Sequence, residues 1–195
     1  MSRIGVFGGS FNPIHNGHIA LARQLLQAGW VDEVWLMVSP QNPLKQNAEL
    51  KPASVRYAIA ERAVAASENP LDRRIRVSKF ELSLPTPTYT WSTLQRLRQS
   101  FPHDFVLLIG ADNWLLFDRW RNHEDIIRHH EIVVYPREGS VIDMSDLPPT
   151  VHLLDMRLLP VSSTEVRRRV RAGESVVGLV PPQVEEMVAR EYGSS

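Results

Sequence analysis

The stretch RIGVFGGSFNPIHNGH at residues 3–18 decides the fold, because it joins an apolar run to a helical pattern through a polar turn. Arg3–Phe7 is short and apolar and is stopped by Gly8 and Gly9, which is typical of a buried strand. Beyond the turn, apolar side chains recur at helical spacing from His18 to Ala28. A strand, a glycine turn and a helix in this order can bring backbone N–H groups close to a phosphate.

Strand and helix patterns alternate along the rest of the chain. Strand patterns cover Glu33–Ser39, Ile75–Leu82, Phe105–Gly110, Glu131–Tyr135 and Val151–Leu159. Helix patterns cover Ala53–Ser67, Thr90–Ser100, Glu124–His130, Ser163–Ala172 and Pro182–Glu191. This alternation predicts an α/β fold, a doubly wound, mostly parallel sheet with helices on both faces. Ligands bind such sheets at the carboxyl ends of the strands, near the switch in strand order.

Composition limits the class of protein. The 195 residues suit one domain over 1–195, with a C-terminal helical part from about residue 162. The chain has no cysteine, which excludes a thiolate zinc site and a cysteine nucleophile. Its 22 basic and 22 acidic residues balance, which disfavours a general binder of nucleic acid or membrane surfaces. No apolar run approaches the ~20 residues of a membrane helix, so we expect a soluble, cytoplasmic protein.

Two histidines, His15 and His18, lie in the turn around Asn16 and Gly17. The turn contains neither G-x-G-x-x-G nor G-x-x-x-x-G-K-[ST]. Imidazoles spaced by three can lie on one side of a helix start and donate hydrogen bonds to phosphate oxygens. The positive helix end disfavours a protonated His18 until an anion binds. Two histidines without a third ligand make a poor zinc site, so no metal ligands are predicted.

A second polar segment, SSTEVRRRVR at residues 162–171, begins a helix near the other end of the chain. Hydroxyls at a helix start cap free N–H groups, and with a phosphate present they become anion donors. Arg167, one turn inside the helix, could reach the same anion. Taken alone, the pattern fits an N-cap followed by a solvated basic face at least as well.

Together these motifs resemble a known superfamily. GGSFNPIHNGH at residues 8–18 resembles the H-x-G-H signature of the nucleotidylyltransferases, whose histidines bind triphosphate and stabilise the transition state. S-S-T-x-x-R from Ser162 resembles the second signature, which grips the triphosphate. Within the superfamily, four further segments resemble the nicotinate-nucleotide adenylyltransferase family: SPQNPLK (39–45), PTPTYTWSTL (85–94), GADNWLLFDRW (110–120) and VVYPREG (133–139).

The resemblance implies a Rossmann-like sheet and direct adenylyl transfer from ATP to nicotinate mononucleotide, with Mg²⁺ and release of pyrophosphate. It assigns phosphate binding and catalysis to His15, His18, Lys45 and Arg167. It assigns ATP binding to Gly8, Gly9, Ser10, Phe11, Gly110, Asp112, Ser163 and Thr164. It assigns the mononucleotide to Thr90 at the carboxylate, Trp120 on the pyridine ring and Arg137 at the phosphate.

The chain departs from the family pattern at three positions. Asn12 stands where the family often has Asp, Leu44 where it often has His, and Arg121 where an aromatic residue is common. The alternatives are a related enzyme for nicotinamide mononucleotide or phosphopantetheine, and a non-catalytic ATP-binding protein. Neither nucleic acid nor membrane is an expected partner, and a homo-oligomer stays open.

Two further expectations concern substrate binding. The segment Gln41–Pro52 is expected to order over the phosphates, because it lacks apolar periodicity and carries Lys45. No Asp or Glu lies between Ser83 and Ser100 to accept an amide NH₂, and Thr90 opens a helix whose N–H groups suit a carboxylate. We therefore expect nicotinate mononucleotide to be preferred over the nicotinamide form.

Overall fold

A computed structural model describes residues 1–40, 49–143, 145 and 147–193. Within these residues the strands are β1 Arg3–Gly9, β2 Glu33–Val38, β3 Ile75–Ser78, β4 Asp104–Gly110, β5 Ile132–Tyr135 and β6 Val151–Leu153. The α-helices are α1 Asn16–Gln27, α2 Ala53–Ala65, α3 Thr90–Ser100, α4 Ala111–Trp114, α5 His123–His129, α6 Ser163–Arg171 and α7 Glu185–Tyr192. No helix of the described residues has both the length and the apolar character that crossing a bilayer requires.

The six strands form one sheet in the order β3-β2-β1-β4-β5-β6, and every neighbouring pair is parallel. The chain runs outward from β1 to β3 and then returns to β4 on the other side of β1. The order therefore switches between β1 and β4, where the paired residues run from Arg3↔Asp104 to Phe7↔Leu108. This confirms the predicted doubly wound α/β sheet.

Successive residues of the central strand face opposite layers, because side chains alternate along a strand. Phe7 joins the apolar core formed with α1, α2, α6 and α7. Ile4 and Val6 join the other core, to which α3 and α5 contribute Leu94, Leu97 and Ile126. Both faces of the sheet are thus covered, and the strand ends are left as the accessible edge.

Two predicted strands are shorter than their sequence patterns. The strand predicted over Ile75–Leu82 ends at Ser78, where its pairing with β2 stops and a 3₁₀ turn at Phe80–Ser83 begins. The strand predicted over Val151–Leu159 ends at Leu153, because β6 is an edge strand and its one partner, β5, ends at Tyr135. Beyond both strands the apolar pattern continues, but no further strand pairing accompanies it.

Candidate active site

A cavity of about 320 Å³ opens at the switch point of the sheet, where β1 and β4 end. Six of the predicted site residues line it, although they come from four separate segments of the chain: Gly8, Gly9, Ser10, Thr90, Gly110 and Trp120. The walls include the aromatic side chains of Tyr89 and Tyr135. An apolar cavity with converging polar groups at this edge is the expected form of a ligand site in an α/β sheet.

The exit of β4 holds a charged pair beside this cavity. A Cβ on Gly110 would lie 2.4 Å from Asp112 Oδ1 and 3.2 Å from Arg137 Nε, so only glycine lets both side chains close over the strand end. Arg137 Nε lies 3.5 Å from Asp112 Oδ1, and its guanidinium stands 5.3 Å from the ring centre of Tyr135. Both members of the pair are half-exposed, so the cation is available to an anionic ligand.

The histidine pair forms a stack at the start of α1. The rings of His15 and His18 lie 3.6 Å apart with an interplanar angle of 24°. The backbone N–H of His15 donates to His18 Nδ1 at 3.1 Å, which leaves the proton of a neutral His18 on Nε2. Gly17 makes room for the stack, because a Cβ there would lie 3.0 Å from the His15 ring.

Both imidazoles are neutral near pH 7. Burial, with Arg137 adding to it, lowers the pKa of His15 to about 3. Burial also holds the pKa of His18 well below its ordinary value, with smaller contributions from His15 and Arg137. The sequence analysis expected the positive end of α1 to keep His18 neutral. In the structure, desolvation is the largest cause of its lowered pKa. An anion placed against the rings would oppose that effect and favour their protonated, doubly donating forms.

Phe11, a predicted nucleotide-binding residue, packs its side chain into the core behind the histidine pair. Its side chain is buried, and its ring centre lies 5.5 Å from Phe7 and 5.0 Å from His18. Glycine at position 9 leaves room for this ring, because a Cβ there would lie 3.0 Å from it. Phe11 also has a φ of 45°, which is rare outside glycine. The side chain therefore supports His18 from the core, and its backbone is the part left for a ligand.

The second motif is fastened to the first turn. Ser162 caps α6 by accepting from Glu165 N at 3.2 Å, whereas Ser163 Oγ donates to the Pro13 carbonyl at 2.9 Å. Thr164 is exposed at the same helix start, and its Oγ1 accepts from Arg167 at 3.4 Å. Residues near opposite ends of the sequence thus meet at one point.

Arg167 is buried and engaged by protein groups. Its NH1 donates to the Asn12 carbonyl at 2.8 Å, and its Nε lies 3.3 Å from Glu49 Oε2. The other arginines of α6 are paired too. Arg168 binds Glu165 and Glu174, Arg169 binds Glu165, and Arg171 binds Glu49. The helix face is therefore charge-compensated rather than openly basic.

The structure explains the unusual Asn12. Its buried side chain accepts at Oδ1 from the hydroxyl of Tyr192 at 2.8 Å and from Lys51 N at 3.2 Å. Its Nδ2 donates to the Glu49 carbonyl at 3.1 Å. An aspartate could accept the bonds from Tyr192 and Lys51. It has no N–H to donate to the Glu49 carbonyl, however, so two acceptor oxygens would face each other there. The asparagine suits this network because it is both donor and acceptor.

Sequence reasoning missed one acidic group in the cavity wall. Glu81 lines the cavity, and its Oε1 accepts from the hydroxyl of Thr93 at 2.9 Å. Burial raises the pKa of the Glu81 carboxyl. The sequence has no Asp or Glu between Ser83 and Ser100, but Glu81 lies two residues before that interval. Its position inside a predicted strand gave no signal of a ligand contact.

Arg121, the departure beside Trp120, also lines the cavity. Its guanidinium stands 5.0 Å from the ring centre of Tyr89, another lining residue. Trp120 itself packs on Phe117 with ring centres 5.0 Å apart. A cation on an aromatic face thus occupies the place where the family often has a second aromatic ring.

Lys45 and most of the predicted Gln41–Pro52 loop lie outside the described residues. Among the described residues, no group of three or more His, Asp or Glu side chains could hold a metal ion. Asp112 and Glu81 bring carboxylates to the site, whereas the histidine pair, Arg137 and Arg167 offer N–H donors and cations that fit phosphate oxygens. The described residues therefore do not form a ligand set for a resident metal ion.

Comparison with known proteins assigns the class. Residues 6–169 match the Cytidylyltransferase-like family, and the chain belongs to it. The fold agrees with a Plasmodium falciparum nicotinic acid mononucleotide adenylyltransferase solved in complex with NaAD. That structure has a TM-score of 0.82 at 19% identity, over 97% of this chain and 96% of the other.

Sequence relatives narrow the class further. The chain is 42% identical over 194 residues to a Bacteroides fragilis protein named "probable nicotinate-nucleotide adenylyltransferase", covering 99% of this chain and 94% of that one. It is 44% identical over 191 residues to a protein of the same name from Bacteroides thetaiotaomicron, covering 97% and 92%. The chain belongs to the nicotinate-nucleotide adenylyltransferase family, as its motifs predicted.

Proposed function

We propose that this chain transfers the adenylyl group of ATP to nicotinate mononucleotide, giving deamido-NAD and pyrophosphate in NAD biosynthesis. The observation that carries the proposal is the meeting of two features at one edge of the sheet. An aromatic-walled cavity at the β1–β4 switch point suits a pyridine nucleotide, and a stacked, neutral histidine pair suits a triphosphate. Arg137 lies close enough to influence both imidazoles and borders the cavity at Gly110.

The proposed reaction is a direct in-line displacement. A phosphate oxygen of the mononucleotide attacks the α-phosphorus of ATP, and pyrophosphate leaves with the electrons of the broken P–O bond. The site residues contribute by aligning two anions and by donating to the phosphate oxygens as charge grows on the leaving group. Neutral imidazoles that become protonated against phosphate fit this task, because their desolvated rings interact strongly with an anion.

Each predicted residue has a proposed part in this reaction. His15, His18 and Arg167 bind the triphosphate together with Lys45, and Arg167 exchanges the carboxylate of Glu49 for phosphate. Gly8, Gly9, Ser10 and the backbone of Phe11 lie along the nucleotides. Gly110 and Asp112 bind ribose hydroxyls, and Ser163 and Thr164 bind the triphosphate. Thr90, Trp120 and Arg137 bind the mononucleotide.

We propose that Mg²⁺ enters as part of the substrate, bound to the phosphates of ATP. Magnesium commonly binds substrate phosphates and water rather than a dedicated set of side chains. The cations of the site then complement the charge that Mg²⁺ leaves on the triphosphate. Because ATP and pyridine nucleotides are intracellular metabolites, we propose a cytoplasmic location. The single-domain organisation over 1–195 and its helical part from about residue 162 stay predictions, and the oligomeric state stays open.

The test is pyrophosphate release from Mg·ATP with three acceptors: nicotinate mononucleotide, nicotinamide mononucleotide and 4′-phosphopantetheine. We expect rapid release with the first, together with a dinucleotide product of matching mass. Release with phosphopantetheine alone would assign the chain to a different adenylyl acceptor. ATP binding without release from any acceptor would favour the non-catalytic alternative.

A further inference from the structure

Arg56 on α2 is the largest fully buried side chain of the described residues. Its guanidinium donates to four backbone carbonyls. Nε binds the Lys51 carbonyl at 2.8 Å and NH2 binds that of Pro40 at 3.1 Å. NH1 binds the carbonyls of Ser10 at 2.5 Å and Ser39 at 2.9 Å. One side chain therefore joins the ends of β1 and β2 to the start of α2.

No carboxylate of the described residues pairs with this cation, and residues 41–48 contain no Asp or Glu. Buried arginines are normally paired with an acidic group, because desolvating an unpaired charge is costly. Burial accordingly lowers the pKa of Arg56, yet a guanidinium stays protonated at neutral pH. Among the described residues, neutral carbonyls therefore solvate this positive charge and no carboxylate pairs with it.

Two of the four carbonyls that Arg56 binds belong to residues that line the cavity. Ser10 and Ser39 both line it, and Ser10 precedes the buried Phe11 that supports His18. The planar guanidinium presents its donors in a fixed fork, so binding several carbonyls sets their relative positions. A lysine ammonium would keep the charge but could not reproduce this planar arrangement.

We propose that Arg56 is a positioning residue for adenylyl transfer. It fixes Ser10 against Ser39 at the cavity edge and places its positive charge behind the turn that receives the phosphates. The inference rests on the proposed function, since it gives Ser10 a place along the nucleotide. Arg56 acts through these carbonyls and touches no substrate itself. Neither motif contains it, and in the sequence it is one more basic residue of a helix.

The experiment compares Arg56→Lys and Arg56→Met with Arg62→Met, a matched control on the same helix. Arg62 is exposed and donates to a single carbonyl, that of Gln183 at 2.9 Å. Thermal unfolding, kcat and KM, and calorimetric binding of a non-hydrolysable ATP analogue are measured for each. We expect Arg56→Lys to lower kcat at least tenfold with analogue affinity within threefold, since charge remains and geometry is lost. Arg56→Met should lower both kcat and the affinity for the ATP analogue, and Arg62→Met should change neither.

Other results would overturn the proposal. One is a folded Arg56→Lys variant with kcat within threefold of the unsubstituted protein. Another is a decrease of kcat in Arg62→Met as large as that in the Arg56 variants. A third is failure of both Arg56 variants to fold, which would make Arg56 a determinant of stability alone. Failure of the proposed function is separable, because it would appear as absent turnover in the unsubstituted protein. The analogue affinities of the Lys and Met variants would then decide whether the buried charge acts on phosphate.

Discussion

The cavity and the phosphate turn differ in how the chain builds them. The cavity is lined by strand ends and by the start of α3. The strand order of the sheet places the ends of β1 and β4 side by side there. The turn at residues 10–16 is instead tied down by distant residues. Arg167 binds Asn12 across 155 positions, Tyr192 binds Asn12 across 180, and Ser163 binds Pro13 across 150. Long-range bonds of this kind fix a turn that local sequence would leave adaptable.

This difference has a chemical consequence. Adenylyl transfer needs two anions aligned within a few tenths of an ångström, which favours a preorganised turn. Recognition of a pyridine ring needs shape and a few polar groups, which strand ends and aromatic walls supply. Substitutions in the turn should therefore reduce turnover or stability, whereas the choice of acceptor should depend on groups of the cavity alone.

The largest expected effect is that of His18→Ala. Removing one preorganised donor to the phosphates should lower kcat/KM by about a hundredfold or more, or about 3 kcal/mol of transition-state stabilisation. Steady-state pyrophosphate release measures it, with circular dichroism to establish that the variant is folded. His129→Ala is the control, since His129 is exposed at the end of α5. A folded variant with activity within threefold would remove His18 from the catalytic account.

His15→Asn should change the pH dependence of stability. The pKa of His15 is lowered to about 3, so between that value and 6.5 the unfolded chain binds a proton that the folded protein does not. Stability is therefore lost as pH falls, by about 2 kcal/mol from this residue between pH 7 and pH 5. Urea unfolding at both pH values should show that much less loss in the variant. An identical pH dependence in both proteins would contradict the neutral, desolvated imidazole.

The fold and the candidate site could be predicted from the sequence to different extents. Uninterrupted apolar strands carry their structure locally, so their pattern sufficed to predict the fold. The turn around His15 and His18 was found by its motif, although distant residues hold it in place. The ends of β3 and β6 were wrong because pairing, which no local pattern encodes, ends a strand. Arg56 and Glu81 were missed because their roles depend on burial and on partners brought together by the fold, not on neighbours in sequence.

A smaller effect is expected for the choice of acceptor. Both oxygens of a carboxylate can accept from N–H donors of the site. The NH₂ of an amide is itself a donor and would face one of those donors without a hydrogen bond. Nicotinate mononucleotide should therefore be preferred at least tenfold in kcat/KM. Glu81 tests this most sharply, because an ionised Glu81 would favour the amide. Burial raises the pKa of Glu81, and Gln keeps a side-chain oxygen that can accept from the Thr93 hydroxyl. We expect Glu81→Gln to keep the preference for nicotinate mononucleotide within threefold, because the N–H groups at the start of α3 are unchanged; kcat/KM with both mononucleotides measures it. A shift toward nicotinate in the variant would mean that the Glu81 carboxylate acts on the acceptor as an anion.

The smallest effect is expected for Tyr192→Phe, which removes the hydroxyl that the chain's last helix donates to Asn12 Oδ1 at 2.8 Å. The acceptor keeps its bond from Lys51 N, so the cost should be near the low end for a buried hydrogen bond, about 1 kcal/mol of unfolding free energy. Tyr57→Phe is the control, since its hydroxyl binds Glu61 at the surface and should cost within about 0.5 kcal/mol. Denaturant unfolding measures both, and KM for nicotinate mononucleotide should stay unchanged because neither phenol lines the cavity. An altered KM in Tyr192→Phe with stability intact would mean that the turn and the cavity are coupled, and that they cannot be treated as separately built parts.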